Sequence, residues 1–158
     1  MPVVAEDPGG RVALLFTRFP VQSETFLLRE VDVLRALGVN LEVRALWPVP
    51  ERLRAAGPAP DHVFRPLHLV FLIYWLPYWL IRRPRALWQI AAALVAWRPG
   101  NALNLMENLL GIGYALVQAH ALRHRFDHFH GVWASAPGTA AWALSLLTDR
   151  PGSLAGHA

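Results

Sequence analysis

The amino-terminal part of this chain alternates strand and helix signals in an order that few folds accommodate. Residues 11–17 (RVALLFT) form a short apolar run, which is typical of a strand buried on both faces. Residues 24–37 carry apolar side chains at helical spacing, and Gly38 follows as a natural helix stop. Residues 40–46 have the pattern of a second strand, so the unit predicts a parallel β-α-β arrangement with a right-handed crossover.

The rest of the chain repeats this alternation after a long helical stretch. Residues 47–66 contain five prolines and predict an irregular excursion. Three helical segments follow within residues 67–126. Residues 127–133 predict a third strand, residues 135–147 a capped helix, and residues 152–157 a fourth strand. This order favours an α/β fold, a Rossmann-like doubly wound parallel sheet with a helical insertion at about 67–126.

Composition narrows the class of protein. The chain has 158 residues, which fits one domain over residues 11–158 after a flexible segment of residues 1–10. Hydrophobic residues make up 54% and charged residues 16%, a balance that excludes an intrinsically disordered chain. The absence of cysteine excludes a disulfide framework, a cysteine zinc site and a thiol nucleophile, and it fits a reducing compartment such as the cytoplasm.

The basic residues are all arginine, and their distribution bears on the partners of the protein. The net charge is +4 and the fifteen arginines are spread along the chain, which disfavours a nucleic-acid-binding face. The longest uncharged apolar run in the middle of the chain, residues 69–81, has thirteen residues and contains Pro77. A membrane-spanning helix needs about 20 apolar residues, so the sequence predicts no transmembrane helix.

An aromatic segment precedes the densest run of arginines. Trp75, Tyr78 and Trp79 lie shortly before Arg82 and Arg83. This composition suits a helix that lies in a membrane interface. A helix buried against the sheet, or against a further domain, explains the same pattern. The segment therefore also supports an alternative function, a non-enzymatic module that binds a membrane or a protein partner.

Three segments are expected at the carboxyl edge of the sheet, where α/β folds bind ligands. They are residues 17–25, residues 133–137 and His157. No G-x-G-x-x-G fingerprint follows the first strand, and Glu24 would repel a phosphate. The Ser-Glu-Thr sequence at 23–25 and the free amides of the helix start suit neutral hydroxyl groups, as on a sugar. A helix cap and a helix-dipole partner explain the same residues.

Four histidines near the third predicted strand are candidate ligands of a metal ion. His120 and His124 are four residues apart, and His128 and His130 share one side of a strand. No general-base glutamate lies between the first pair, and the neighbouring arginines would repel a cation. The sequence therefore predicts no metal site.

Two separated stretches carry the pattern of a known family. The first, FPVQSETFLLREVDVLRALGVNLEVRAL, contains F-P-x-x-S-E-T-F, a helix, a glycine and a second strand. The second, HFHGVWASAPGTAAWALSLLTDRPGSLAGHA, contains H-x-H-x-x-W-A, an alanine-rich helix and a strand ending in His-Ala. In this order they resemble bacterial exopolysaccharide glycosyltransferases of the colanic-acid type, which are retaining enzymes with the GT-B fold. The matching residues are Phe19, Pro20, Ser23, Glu24, Thr25, Phe26, Arg29, Glu30, Gly38, His128, His130, Trp133, Ala134, Pro151, Ser153, His157 and Ala158.

The resemblance implies the amino-terminal, acceptor-side domain of such an enzyme. In that family a carboxy-terminal domain holds the nucleotide sugar and a pair of glutamates seven residues apart. The sequence ends at Ala158, before the aspartate that follows His-Ala in the family. The resemblance therefore predicts a truncated enzyme that lacks the second domain, is inactive alone and has no cofactor of its own.

The resemblance also assigns roles to particular residues. It makes His157 the catalytic candidate, close to the reacting sugar. The acceptor-binding candidates are Ser23, Glu24, Thr25, His130 and Trp133. The implied partners are a nucleotide diphosphate sugar and a saccharide acceptor, lipid-linked or free. The implied location is the cytoplasm or the inner face of the cytoplasmic membrane.

Overall fold

Five short strands form one parallel sheet in the computed structural model, which describes residues 10–97 and 100–155. The strands are β1 (Val12–Phe16), β2 (Leu41–Ala45), β3 (His62–Val63), β4 (His128–Gly131) and β5 (Gly152–Leu154). Their order across the sheet is β3-β2-β1-β4-β5, and every neighbouring pair is parallel. The strands β1 and β4 lie side by side, so the direction in which the chain builds the sheet reverses between them.

Five α-helices in the described residues cover the two faces of this sheet. They are α1 (Thr25–Ala36), α2 (Leu72–Arg82), α3 (Pro84–Trp97), α4 (Ala102–Leu122) and α5 (Ala136–Thr148). Both faces need cover because alternate side chains of β1 point to opposite sides. Leu14 and Phe16 are buried in a cluster with α1, whereas Ala13 and Leu15 are buried in a larger cluster with α4 and α5. The predicted Rossmann-like doubly wound sheet is thus confirmed.

Glycines set the close approach of α5 to its neighbours. A Cβ on Gly131 at the end of β4 would lie 2.6 Å from the backbone of Gly138 in α5. A Cβ on Gly111 in α4 would lie 2.4 Å from the carbonyl oxygen of Ala136. Real side chains do not tolerate such distances to backbone atoms, so α5 packs on β4 and α4 only because these positions lack a Cβ. This packing fixes the turn between β4 and α5.

A buried ion pair joins the sheet to the helical layer. Glu42 and Arg44 lie two residues apart on β2 and therefore on one face, where Arg44 is only 1% exposed. The Arg44 guanidinium pairs with Glu42, donates from Nε to the hydroxyl oxygen of Tyr114 (2.8 Å) and donates to Oε1 of Gln118 (3.2 Å). The charge of the buried guanidinium is thus compensated by a carboxylate and by two neutral oxygen acceptors, as a charge inside a protein requires.

Local structure differs from the sequence-based prediction at three places. Ser23 does not cap α1, because the segment Gln22–Glu24 forms a 3-10 turn and α1 begins at Thr25. The excursion after β2 contains the two-residue strand β3, which pairs with Arg44 and Ala45. Pro66–Phe71 is a 3-10 helix before α2 and not part of it. Residues 1–9 of the predicted flexible segment lie outside the described residues.

Three aromatic side chains of α2 pack against the rest of the protein, which is the alternative that the sequence left open beside a membrane-interface helix, whereas Tyr74 is exposed. Trp79 is 1% exposed, and its indole N–H donates to the carbonyl oxygen of Leu116 (2.8 Å). Trp75 and Tyr78 are half-buried against His120, with the Tyr78 hydroxyl 3.2 Å from His120 Nδ1. The prediction is therefore wrong for Trp79, since an indole packed in the core has no access to lipid.

The two arginines that follow α2's aromatic residues take different positions. The Arg82 guanidinium lies over the Tyr78 ring, 5.9 Å from its centroid, and Arg83 forms an ion pair with Asp149. None of the helices in the described ranges is long and apolar enough to cross a membrane.

Candidate functional site

A crevice opens at the carboxyl ends of β1 and β4. The two strands are neighbours in register, with Leu14 opposite His130, but their following helices cover opposite faces of the sheet. The loops that lead into α1 and α5 therefore separate at this edge and leave room between them. Open α/β sheets bind ligands at this kind of topological switch point. The segments 17–25 and 133–137 meet here.

The first cavity at this edge has a volume of about 430 Å³. Its polar and aromatic lining consists of Thr17, Arg18, Glu24, Glu107, Trp133 and Ser135. Two acidic residues and one arginine thus line the same space. This set can hydrogen-bond neutral hydroxyl groups, whereas a phosphate would meet more negative than positive charge.

The loop that carries Glu24 is held by the irregular segment after β2. Val21 forms an antiparallel bridge with Arg54, and the Gln22 side-chain amide donates to the Arg54 carbonyl oxygen (3.0 Å). The Ala55 amide donates to the Pro20 carbonyl oxygen (3.3 Å). The proline-rich excursion therefore braces one wall of the crevice.

Glu24 and Trp133 form the contact that joins the two walls. Burial raises the pKa of the Glu24 carboxyl, and the neighbouring Trp133 side chain partly offsets that increase. Phe26 packs edge-on against the Trp133 ring, with 6.4 Å between ring centroids. The carboxyl is thus partly buried beside an aromatic residue that lines the same cavity, which is the type of environment that perturbs the pKa of functional acids.

Replacing Glu24 with glutamine is expected to stabilise the folded protein at neutral pH. Because the pKa of Glu24 is raised above the 4.5 of an unperturbed glutamate, the folded state retains a proton that the unfolded state releases. Ionisation of Glu24 therefore lowers the free energy of unfolding as the pH rises above 4.5. Glutamine cannot ionise, so the variant does not lose this stability. Thermal unfolding at about pH 4 and pH 7 measures the effect.

The melting temperatures of Glu24→Gln and wild-type protein should differ at neutral pH and converge in acid. Glu30→Gln on the exposed side of α1 is the control and should follow wild type at both pH values. A difference of equal size at both pH values would contradict a role for ionisation of Glu24.

A second cavity of about 700 Å³ lies beside the first. Glu107, Ala134 and Ser135 line both cavities, so the two form neighbouring parts of one crevice. The second part is lined further by Asn104, Asn108, Thr139 and Trp142. The Thr139 hydroxyl donates to Oδ1 of Asn108 (2.9 Å), which leaves the Asn108 amide group as a donor at the wall.

The α4 residues of this crevice were missed by the sequence interpretation. Asn104, Glu107 and Asn108 follow Asn101, whose side chain accepts from the Asn104 amide and caps α4 (2.8 Å). The cap Asn101 and these three residues recur at spacings of three and four in the otherwise apolar first half of α4, so they lie on one side of the helix. That polar stripe is the signal in the sequence that points to the crevice.

Three predicted acceptor-binding residues do not line the crevice. Ser23 and Thr25 flank Glu24 and are exposed. His130 lies on the sheet face beside α1, where it lines a small space between Leu14 and Val31. Glu24 and Trp133 are therefore the predicted binding residues that the structure brings together at a cavity.

His128 and His130 share a partner on β5. The Ser153 hydroxyl lies 2.7 Å from Nε2 of His128 and 2.7 Å from Nδ1 of His130. This bridge joins β4 to β5 and gives both histidines a structural role. Within the described ranges, no group of three or more histidine, cysteine or acidic residues is arranged to hold a metal ion. The catalytic candidate His157 lies outside the described residues.

Comparison with protein-family models, with curated protein sequences and with solved structures finds no match to this chain. The function is therefore inferred from the chemistry of the crevice together with the two sequence stretches that form its walls. The fold contributes the position of the crevice but not the identity of its ligand, since unrelated activities share this architecture.

Proposed function

We propose that this chain is the acceptor-side domain of a retaining glycosyltransferase. The enzyme would move a sugar from a nucleotide diphosphate sugar to a lipid-linked or free saccharide in exopolysaccharide or cell-envelope synthesis. The observation that carries the proposal is that Glu24 and Trp133 line the same cavity, the first one. These residues are more than a hundred positions apart, and each belongs to one of the two stretches that resemble the family.

The side chains of the crevice favour a saccharide as its ligand. Carboxylate, amide and hydroxyl groups offer donors and acceptors to sugar hydroxyls, and indole rings offer flat apolar surfaces to the sugar ring. Glu24 and Glu107 outnumber Arg18, which disfavours a diphosphate. The proposal therefore assigns the acceptor to this crevice and the nucleotide of the donor to the second domain that the resemblance implies.

We also propose where in the cell this protein acts. A chain without cysteine fits a reducing compartment, so we place the protein in the cytoplasm. A lipid-linked acceptor would bring it to the inner face of the cytoplasmic membrane.

Nuclear magnetic resonance of the 158-residue chain tests the assignment of the crevice. The probes are lactose, cellobiose and uridine diphosphate, added separately to protein labelled with nitrogen-15. The Trp133 indole signal is identified by its loss in Trp133→Phe. We expect a disaccharide to shift this signal in a saturable way and uridine diphosphate to leave it unchanged, because the carboxylates repel the diphosphate.

A shift of the Trp133 signal by uridine diphosphate alone would overturn the assignment in favour of a nucleotide site. The absence of any shift with both disaccharides would remove the saccharide assignment. In parallel, the chain alone is expected to hydrolyse and transfer no nucleotide sugar, and turnover at the rate of an intact enzyme would place the donor site within these 158 residues.

A further inference from the structure

One side of α2 is apolar and uncovered in the folded protein. Ile73 and Ile81 are each 81% exposed, Tyr74 is 64% exposed and Leu80 is 61% exposed. A helix on the surface of a globular protein normally carries polar residues on its outward side. We call this side, formed by Ile73, Tyr74, Leu76, Leu80 and Ile81, the α2 outer face. An exposed apolar area of this kind marks an interaction surface.

The α2 outer face is held outward by contacts on the opposite side of the helix. The Trp79 indole N–H is bonded to the Leu116 carbonyl oxygen, and the Tyr78 hydroxyl lies 3.2 Å from His120 Nδ1. Turning Ile73 and Ile81 inward would break these contacts and expose Trp79. The apolar face therefore remains outside as long as α2 stays packed on α4.

Neighbouring elements extend the exposed apolar surface. Leu67, Val70 and Phe71 in the 3-10 helix before α2 are 78%, 54% and 53% exposed. Trp88 in α3 is 75% exposed. The exposed apolar surface is therefore formed by several side chains, since consecutive elements of the helical insertion present large apolar groups to the solvent.

Most charges near this surface are positive. Residues 62–106 contain five arginines and neither aspartate nor glutamate. Arg82 and Arg85 follow the α2 outer face and are exposed, while Arg83 pairs with Asp149. An apolar face followed by two exposed arginines is complementary to anionic lipid headgroups above acyl chains.

We propose that the α2 outer face docks on the surface of an anionic lipid bilayer. The helix lies in the interface, with Ile73, Leu80 and Ile81 among the acyl chains and Arg82 and Arg85 at the headgroups. Insertion across the bilayer is not involved, because α2 has only 11 residues. This inference is independent of the saccharide site, and it replaces Trp79 of the predicted membrane contact with residues that are exposed.

Co-sedimentation with lipid vesicles tests this docking. The chain is mixed with vesicles of phosphatidylglycerol and phosphatidylethanolamine, and separately with vesicles of phosphatidylcholine. We expect partition into the anionic vesicles, reduced by salt, and much weaker partition into phosphatidylcholine. The double variant Ile73→Glu/Ile81→Glu should lower the partition coefficient at least about tenfold, because it places two carboxylates in the apolar face.

The matched control is Val33→Glu/Leu37→Glu, in α1 and directly after it, where both side chains are exposed but lie on the other side of the sheet. It should partition as the wild type does. Circular dichroism confirms that both double variants fold.

Equal partition of the α2 variant and the wild type would overturn the proposal. Equal binding to both kinds of vesicle would also overturn it, because the arginines would then have no part. If the wild type binds no vesicles and the α2 variant changes a monomer–dimer equilibrium measured by light scattering, the face belongs to a second copy of the chain instead.

Discussion

Glu42→Leu is expected to lower the free energy of unfolding by about 3–5 kcal/mol, the usual effect of removing one partner of a buried ion pair. The remaining Arg44 guanidinium is 1% exposed and would keep only the neutral oxygens of Tyr114 and Gln118. Its charge would then be buried without a counter-charge, and the guanidinium is too basic to escape by losing its proton. Urea unfolding followed by circular dichroism measures the loss.

Arg44→Met is expected to destabilise the protein less than Glu42→Leu. The Glu42 carboxylate would keep two arginine partners, Arg11 at 2.9 Å and Arg125 at 3.0 Å. Both arginines reach solvent, so the remaining pairs stay partly hydrated. The double variant Glu42→Leu/Arg44→Met should be less destabilised than the sum of the two single variants, because it leaves no buried charge without a counter-charge and Arg11 and Arg125 are hydrated. Additive effects would contradict the coupling.

The pKa of His62 provides a second test of the charges on Glu42 and Arg44. Burial is the main cause that lowers the pKa of His62 to about 4, and Arg44 lowers it further whereas Glu42 raises it. Because this pKa lies below the 6.5 of an unperturbed histidine, stability is lost as the pH falls from 6.5 towards 4. Arg44→Met should raise the pKa of His62 and Glu42→Leu should lower it, as read from the imidazole resonances.

The sequence predicted the part of the fold that depends on local patterns. Apolar runs and helical spacing are repeated over whole elements, so β1, α1, β2, β4 and α5 could be placed within a few residues of their observed bounds. The strand β3 was missed because two residues, His62 and Val63, are too short to show an alternation. Its pairing with Arg44 and Ala45 is a long-range contact that no local pattern reveals.

The orientation of α2 could not be predicted for a different reason. Apolar side chains surround this helix, so spacing alone does not distinguish the inner side from the outer side. The choice is made by distant partners. Trp79 points inward because the Leu116 carbonyl oxygen accepts its indole proton, and Tyr78 follows because His120 lies beside it.

The sequence predicted some of the residues that line the crevice and missed others. The segments that carry Glu24 and Trp133 were expected at the carboxyl edge of the sheet from topology, and the family resemblance implied the binding role of the two residues. Glu107 belongs to the helical insertion, and its position depends on the packing of α4 against α5 through Gly111. That contact determines which face of α4 lines the crevice. The polar stripe that contains Asn104 and Asn108 belongs to the site because of this packing.

Trp133→Ala is expected to weaken saccharide binding by about 30- to 100-fold, or about 2–3 kcal/mol, as for a buried aromatic residue at the centre of a binding site. The variant removes the indole surface of the first cavity beside Glu24. Trp133→Phe keeps an aromatic ring but removes the N–H, so its affinity should lie between those of wild type and Trp133→Ala. Isothermal titration with the disaccharide that shifts the Trp133 resonance measures all three proteins.

The matched control for this prediction is Trp88→Ala. Trp88 is 75% exposed on α3 and lines neither cavity, so its removal should leave the affinity unchanged while deleting the same side chain. Trp142→Ala tests the second cavity, where a smaller loss is expected for a disaccharide because that cavity would hold the further units of a longer acceptor. Full affinity in Trp133→Ala together with lost affinity in Trp142→Ala would move the saccharide to the second cavity and separate its binding from Glu24.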